Sequence, residues 1–379
     1  MNAILNKLKQ LSHKQILFFI ILAVCFVASI VFVHHNYAFY DRPIAKIVKT
    51  ELVKTKDVTD EQHNKDKLFT QQIIAELKNG DAKGQRIHLT NTYSSSGAYD
   101  QEYHVGNDLF VSIDKNKNEH TYVTGSIKDV KRDKYVLLIA WIFIFILLLV
   151  GKRQGLFSII SLAVNATILT YALDVYVKTQ SSRLLVICGI SVVLFTVISL
   201  LLVNGFNEKT YAAIIATLLG TLIAMLVTYL VMWITSENGL RYEEMQFLTR
   251  PYKMVFMAGL LLGSLGGIMD VAITMSSSIF GLYEATPSIS DKALKTSGKE
   301  IGRNIMGPIT NILFFVYVSG SIPMLILYLN NASPLTFSFS MNLSLELARA
   351  LAGGIGIVIT IPIALYTSIF FVKRKKAQS

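Results

Sequence analysis

The stretch Gly259-Leu260-Leu261-Leu262-Gly263-Ser264-Leu265-Gly266-Gly267-Ile268-Met269-Asp270 decides how the chain is read, because it sets one carboxylate inside an otherwise uncharged apolar run. An ionised aspartate in hydrocarbon costs at least about 2.5 kcal/mol, so such a group belongs against other helices or a wet cavity. Gly259, Gly263 and Gly267 recur every four residues and share one helical face, where missing side chains let a neighbouring helix approach. Asp270 follows on that face.

The next apolar segment is entered through Gly298-Lys299-Glu300-Ile301-Gly302-Arg303-Asn304-Ile305-Met306-Gly307-Pro308-Ile309-Thr310-Asn311. Gly302, Gly307 and Pro308 flank Arg303, Asn304 and Asn311, which predicts a polar and distorted helix entrance. Irregular backbone at membrane depth is tolerated only against protein or water. The two segments are therefore expected to pack around a polar path, with Asp270, Arg303, Asn304 and Asn311 as candidates to line it. The bland alternatives stand beside this reading: Asp270 reaching interfacial water, Arg303 anchoring the helix end, and the asparagines hydrogen-bonding between helices.

Working outward, 52% of the 379 residues are hydrophobic and the net charge is +11, with a mean hydropathy of +0.48. That balance is an integral membrane protein's rather than a soluble domain's. The basic residues sit at loop ends and do not cluster among aromatics, which argues against nucleic acid as a partner. Two cysteines, Cys25 and Cys188, lie in apolar runs, so a disulfide framework is excluded. Leu22-Ala23-Val24-Cys25 has the look of a lipidation site, but Val24 is larger than the small residue that chemistry prefers. All seven histidines fall at or before His120, and their spacing suits no metal. No phosphate loop, nucleophile elbow or H-E-x-x-H occurs, so neither an enzyme nor a cofactor is expected.

Residues 1–34 read as a short basic N terminus and a retained first transmembrane helix, Gln15 to Val33. Residues 35–134 are polar; from His34 to Lys134, sixteen Lys and Arg balance fifteen Asp and Glu. Strand-like alternation in Lys46 to Val53, a hairpin of Gln72–Leu77 and Gln85–Leu89 across Asn79 to Gly84, and a second pair, Leu109–Ile113 with His120–Val123, predict a small all-β domain, an OB-like or SH3-like barrel. Residues 135–379 hold seven further apolar segments, at 135–150, 156–176, 184–203, 211–234, 254–275, 305–329 and 347–372. The expected fold is an all-α membrane bundle of about eight transmembrane helices with the β domain between the first and second.

With the N terminus inside, fourteen Lys and Arg flank the spans on the inner side and five on the outer, a clear positive-inside asymmetry. Both termini and the 276–303 connection are then cytoplasmic, and the β domain is extracytoplasmic. In that connection, Ser290 is placed to cap a short helix. Glu346 and Arg349, three apart, can pair at the outer end of the last span. Gly353-Gly354-Ile355-Gly356 and Pro362 allow close packing or a hinge, and Asn165 and Asn204 are single polar residues suited to packing.

Met269-Asp270-Val271-Ala272, Ser276-Ser277-Ser278, and Ser297 to Gly307 with Thr310-Asn311 resemble the signature of the YibE/F-like family of bacterial multi-pass membrane proteins. The hairpin from Gly80 to Asn91 resembles the extracytoplasmic domain of the family's longer, YibE-type members. That resemblance implies a permease or transporter component of the bacterial cell membrane with no named substrate. The alternative it leaves open is a scaffold or envelope sensor acting with a YibF-type partner or as a homo-oligomer. The family pattern often has an aspartate where this chain has Asn304 and a threonine where it has Pro308, so no proton-carrying role is expected of position 304.

Overall fold

A computed structural model describes residues 13–61, 63–97, 100–114, 123–179, 183–242, 245 and 251–378. The chain divides into two compact units, Met1–Ile146 and Leu147–Ser379.

In the first unit, α1 (His13–His35) is apolar on every side, with Leu17, Ile20, Val24, Val27 and Val31 all exposed. A helix with no polar face suits lipid rather than a globular surface. A 3-10 turn, Asn36–Phe39, leads into five strands: β1 (Ile44–Thr59), β2 (Lys65–Leu77), β3 (Arg86–Ser94), β4 (Asp108–Ile113) and β5 (Val123–Val130). They close a barrel in the order β1-β2-β3-β5-β4. Neighbours are antiparallel except the parallel pair β3 and β5. Alternation turns Ile47, Ile73, Leu77, Ile87, Leu89 and Leu109 inward, where each is nearly or wholly buried. The β2–β3 hairpin lies where expected, and its Gly80 and Gly84 have φ of +77° and +87°, backbone that favours glycine. Of the second expected pair, β4 is present; residues 120–122 lie outside the described residues, and β5 continues well past Val123.

The barrel is tied to the helices of its own unit by buried polar groups. Asn79 Oδ1 accepts from the Ile44 amide at 2.6 Å, and its Nδ2 donates to the carbonyls of Tyr37, Tyr40 and Arg42. Lys131, 3% exposed, donates to the Val33 carbonyl at 2.8 Å and pairs with Asp133 at 2.7 Å. Asp133 also accepts from Asn36 Nδ2 and the Tyr40 hydroxyl. Burial first, then that bond to Asp133, pushes the Tyr40 phenol above its ordinary pKa.

Helix α2 (Asp133–Thr179) contains both the expected 135–150 and 156–176 segments. It is not one straight rod: Lys152 has φ 48° and ψ −121°. A Cβ at Gly155 would lie 2.2 Å from the Leu147 carbonyl oxygen. Eight residues of straight helix would separate those positions by about 12 Å, so the chain folds back at Gly151-Lys152-Arg153.

The second unit continues with α3 (Leu184–Asn204), α4 (Glu208–Ile234), α5 (Tyr252–Ala285), α6 (Asp291–Ser319), α7 (Ile322–Asn330) and α8 (Leu335–Gln378). Asn165 and Ser161 of α2 both hydrogen-bond to Ser199 of α3, the packing role expected for Asn165. Helix α8 is the centre of the unit, packed along α4, α5 and α6. The close approach uses glycines: a Cβ on Gly220 would meet Thr360 Oγ1 at 2.0 Å, on Gly353 would meet Leu313 at 2.3 Å, and on Gly356 would meet Ile268 at 2.8 Å.

Seven described helices are long and apolar enough to cross a membrane. Three expected boundaries differ. The 276–303 connection is mostly helix, because α5 runs on to Ala285 and α6 starts at Asp291; its polar residues pack instead of looping, with Ser276 hydrogen-bonded to Ser368 at 3.0 Å. The 305–329 segment breaks after Ser319 and restarts as α7 with a proline in its first turn. The last helix begins at Leu335 rather than 347.

Candidate functional site: the polar flank of α5 and α6

Helices α5 and α6 form an antiparallel pair joined by residues 286–290. Ser290 caps α6 as expected, its Oγ accepting from the Ala293 amide at 3.2 Å. Lys373 pairs with Asp291, and Lys376 donates to the Ile289 carbonyl, so the C-terminal turns of α8 hold this connection. Close packing against α8 comes from Gly298 and Gly302, where a Cβ would meet Leu365 at 2.3 Å and Ile361 at 2.4 Å.

Depth along the pair follows from counting. Asp270 lies fifteen residues before the end of α5 and Met306 fifteen residues after the start of α6; at 1.5 Å per residue both are about 22 Å from the turn. The 3.8 Å from a Cβ on Gly267 to Ile309 Cγ2 agrees with that register. Asn304 and Gly307 are therefore level with Asp270. Arg303, the residue before Asn304, is about 4 Å nearer the connection than Asp270, and Asn311 lies farther from it.

The buried side of α5 carries Leu260, Ser264, Ile268, Val271 and Met275. Gly259, Gly263, Gly266 and Asp270, at spacings of four, three and four, make the exposed stripe opposite. On α6, Arg303, Asn304, Gly307, Pro308 and Asn311 are likewise exposed. Neither Asp270 nor Arg303, Asn304 or Asn311 makes a side-chain hydrogen bond or ion pair with another described residue. The structure gathers the four on one flank but does not pair Asp270 with Arg303.

The glycines divide in their use. Side chains fill the space over three of them: a Cβ on Gly263 would lie 2.0 Å from the Tyr317 hydroxyl, on Gly267 3.2 Å from Ile357, and on Gly259 3.7 Å from Arg349 Nε. Over Gly266 and Gly307 nothing lies within 4 Å. Pro308 sits inside α6, which runs through it as one continuous helix. Its missing N–H still leaves the Asn304 carbonyl without its helical donor.

Two features were legible in the sequence only in part or not at all. The Glu346–Arg349 pair forms, but inside α8 rather than at its end, with the guanidinium 5.2 Å over the Phe256 ring. Arg349 Nε and the Tyr317 hydroxyl are both buried without a hydrogen-bond partner among the described residues, and both stand over the glycine stripe of α5. Only the i, i+3 spacing of the pair was a signal; Tyr317 gave none.

A set of long apolar helices bearing a five-stranded barrel, with an acid inside one of those helices, defines a multi-pass membrane protein. The chain belongs to the YibE/F-like family: the family model described as YibE/F-like protein matches residues 139–374, and that of the YibE/F family N-terminal domain matches residues 38–130. No curated protein and no solved structure matches the chain.

Proposed function

We propose that the protein is a permease component of the bacterial cell membrane, in which the flank of α5 and α6 lines a route for a cation or proton. One observation carries this: Asp270 lies within an apolar helix, exposed, unpaired and level with the unpaired Asn304. Leaving an acid there without a polar counterpart costs at least about 2.5 kcal/mol. A carboxylate, an asparagine amide and the freed Asn304 carbonyl offer oxygens of the kind hard cations prefer. From Arg349 over Gly259, past Tyr317 at Gly263, to Asp270 the polar groups follow α5 for eleven residues, about 16 Å, a large part of a bilayer's roughly 30 Å hydrocarbon core.

The topology that goes with it has eight spans, because the reversal at Lys152 makes α2 two crossings. Both termini are cytoplasmic and the barrel extracytoplasmic, supported by the positive-inside bias. The strand order with its parallel β3–β5 pair supports an OB-like barrel.

A second reading, a non-transporting scaffold or envelope sensor, is favoured by a groove of about 400 Å³ on the barrel, lined by Lys49, Glu51, Gln72, His88, Thr90 and Ser126 among others. Deleting residues 41–132 separates the two. In reconstituted liposomes a permease lacking its barrel retains basal flux, whereas a sensor loses every phenotype and never showed flux.

A further inference from the structure

We propose that the flank of α5 and α6 is closed by a second copy of this chain, in a two-fold contact that sets Asp270 of each copy against Arg303 of the other. The inference rests on the permease reading and names the partner of that site. Within one chain the acid and the base lie within about 4 Å of each other in depth, on adjacent helices, and do not pair. Asn304 and Asn311 are equally unpaired, and Gly266 and Gly307 are open, with nothing within 4 Å of a Cβ.

Such a face is costly against lipid. It carries one charge of each sign at similar depth, and that is what a self-complementary patch needs: a two-fold axis along the membrane normal repeats every contact, so one Asp–Arg match becomes two. The open glycines allow the helices to come close enough for it. A single chain presents half of a polar path, and two copies enclose a whole one. Glu300, also exposed on α6, lies one turn nearer the α5–α6 connection, where Lys295, Thr296 and Lys299 are exposed as well.

The test is charge exchange between differently tagged copies in lipid nanodiscs. Asp270→Arg alone and Arg303→Asp alone each place like charges together in a homodimer, and each is expected to weaken self-association at least tenfold. Co-expressed, the two variants restore both pairs in the mixed dimer, so the two tags co-purify at wild-type level. A wild-type chain that is monomeric at every concentration, single variants that associate as well as wild type, or a mixture that is not rescued would each overturn the proposal.

Because a charge variant can fail to fold, a second measurement uses Gly266→Cys and Gly307→Cys copies in a Cys25→Ser background, both at positions with room for a side chain. A bifunctional maleimide should link them in membranes, and should not link copies carrying Leu226→Cys on an exposed position of α4; absence of the first cross-link, or an equal yield of the second, contradicts the contact. Flux measured on the same samples keeps the two claims apart. A monomer with flux refutes the dimer alone, and a dimer without flux refutes the permease reading alone.

Discussion

Single residues on α5 and α6 divide into those that pack and those that are open. Gly302→Val drives two methyls toward Ile361 and should destabilise the protein by about 1–3 kcal/mol, as overpacked cores do, read as a lower thermal midpoint in detergent. Gly307→Ala, with nothing of its own chain within 4 Å of the added Cβ, should change the stability of the single chain by less than about 0.5 kcal/mol. On the barrel, the Ser96 hydroxyl and then the Lys67 amide hold the Asp66 carboxyl below its usual value. A depressed acid contributes its stability above the unfolded pKa near 4 and loses it as pH falls through the lower folded value. Hydrogen exchange at residues 57–67, corrected for intrinsic rates, should stay constant from pH 7 to 5 and quicken below 4, and Asp66→Asn should remove that dependence. Asp270 was legible as a lone acid and Ser290 as a cap, because both are local signals. Tyr317 and the surroundings of Arg349 were not, because periodicity tells which face of a helix is polar but not which neighbour meets it.

Among the elements, the reversal inside α2 has the clearest consequence. If Lys152 turns the chain, Asp133 and Thr179 emerge on the same side of the membrane; a single tilted crossing would put them on opposite sides. Membrane-impermeant maleimide applied to Tyr135→Cys and Lys178→Cys variants should label both from one side only. The charged break between two apolar runs made this turn readable in advance. The extension of α5 to Ala285 was not, since Ser276 to Ser278 look like loop until their contact with α8 is seen. Removing Lys131 leaves Asp133 without its cation in a mostly buried setting, so Lys131→Met should cost about 3 kcal/mol and loosen amide protection over residues 37–44. Asn79, which ties down the same segment, read only as a turn residue, because its acceptors lie some forty positions earlier in the chain.

For the whole molecule, the two family matches, 38–130 and 139–374, lie on either side of the composition change near residue 134, whereas the two compact units divide later, between Ile146 and Leu147. What composition could not convey is that the acid of the opening stretch sits on an exposed flank rather than inside one chain's core, since burial in a bundle depends on how many chains build it. The central claim is that this acid carries charge across the bilayer. Purified protein in liposomes, monitored for proton and cation flux under an imposed potential, measures it directly with Asp270→Asn as the paired sample. The expected result is wild-type flux well above that of empty liposomes, falling at least tenfold in Asp270→Asn at matched amounts of folded protein. Wild-type vesicles that leak no faster than empty ones, or an Asp270→Asn trace that overlies wild type, would contradict it.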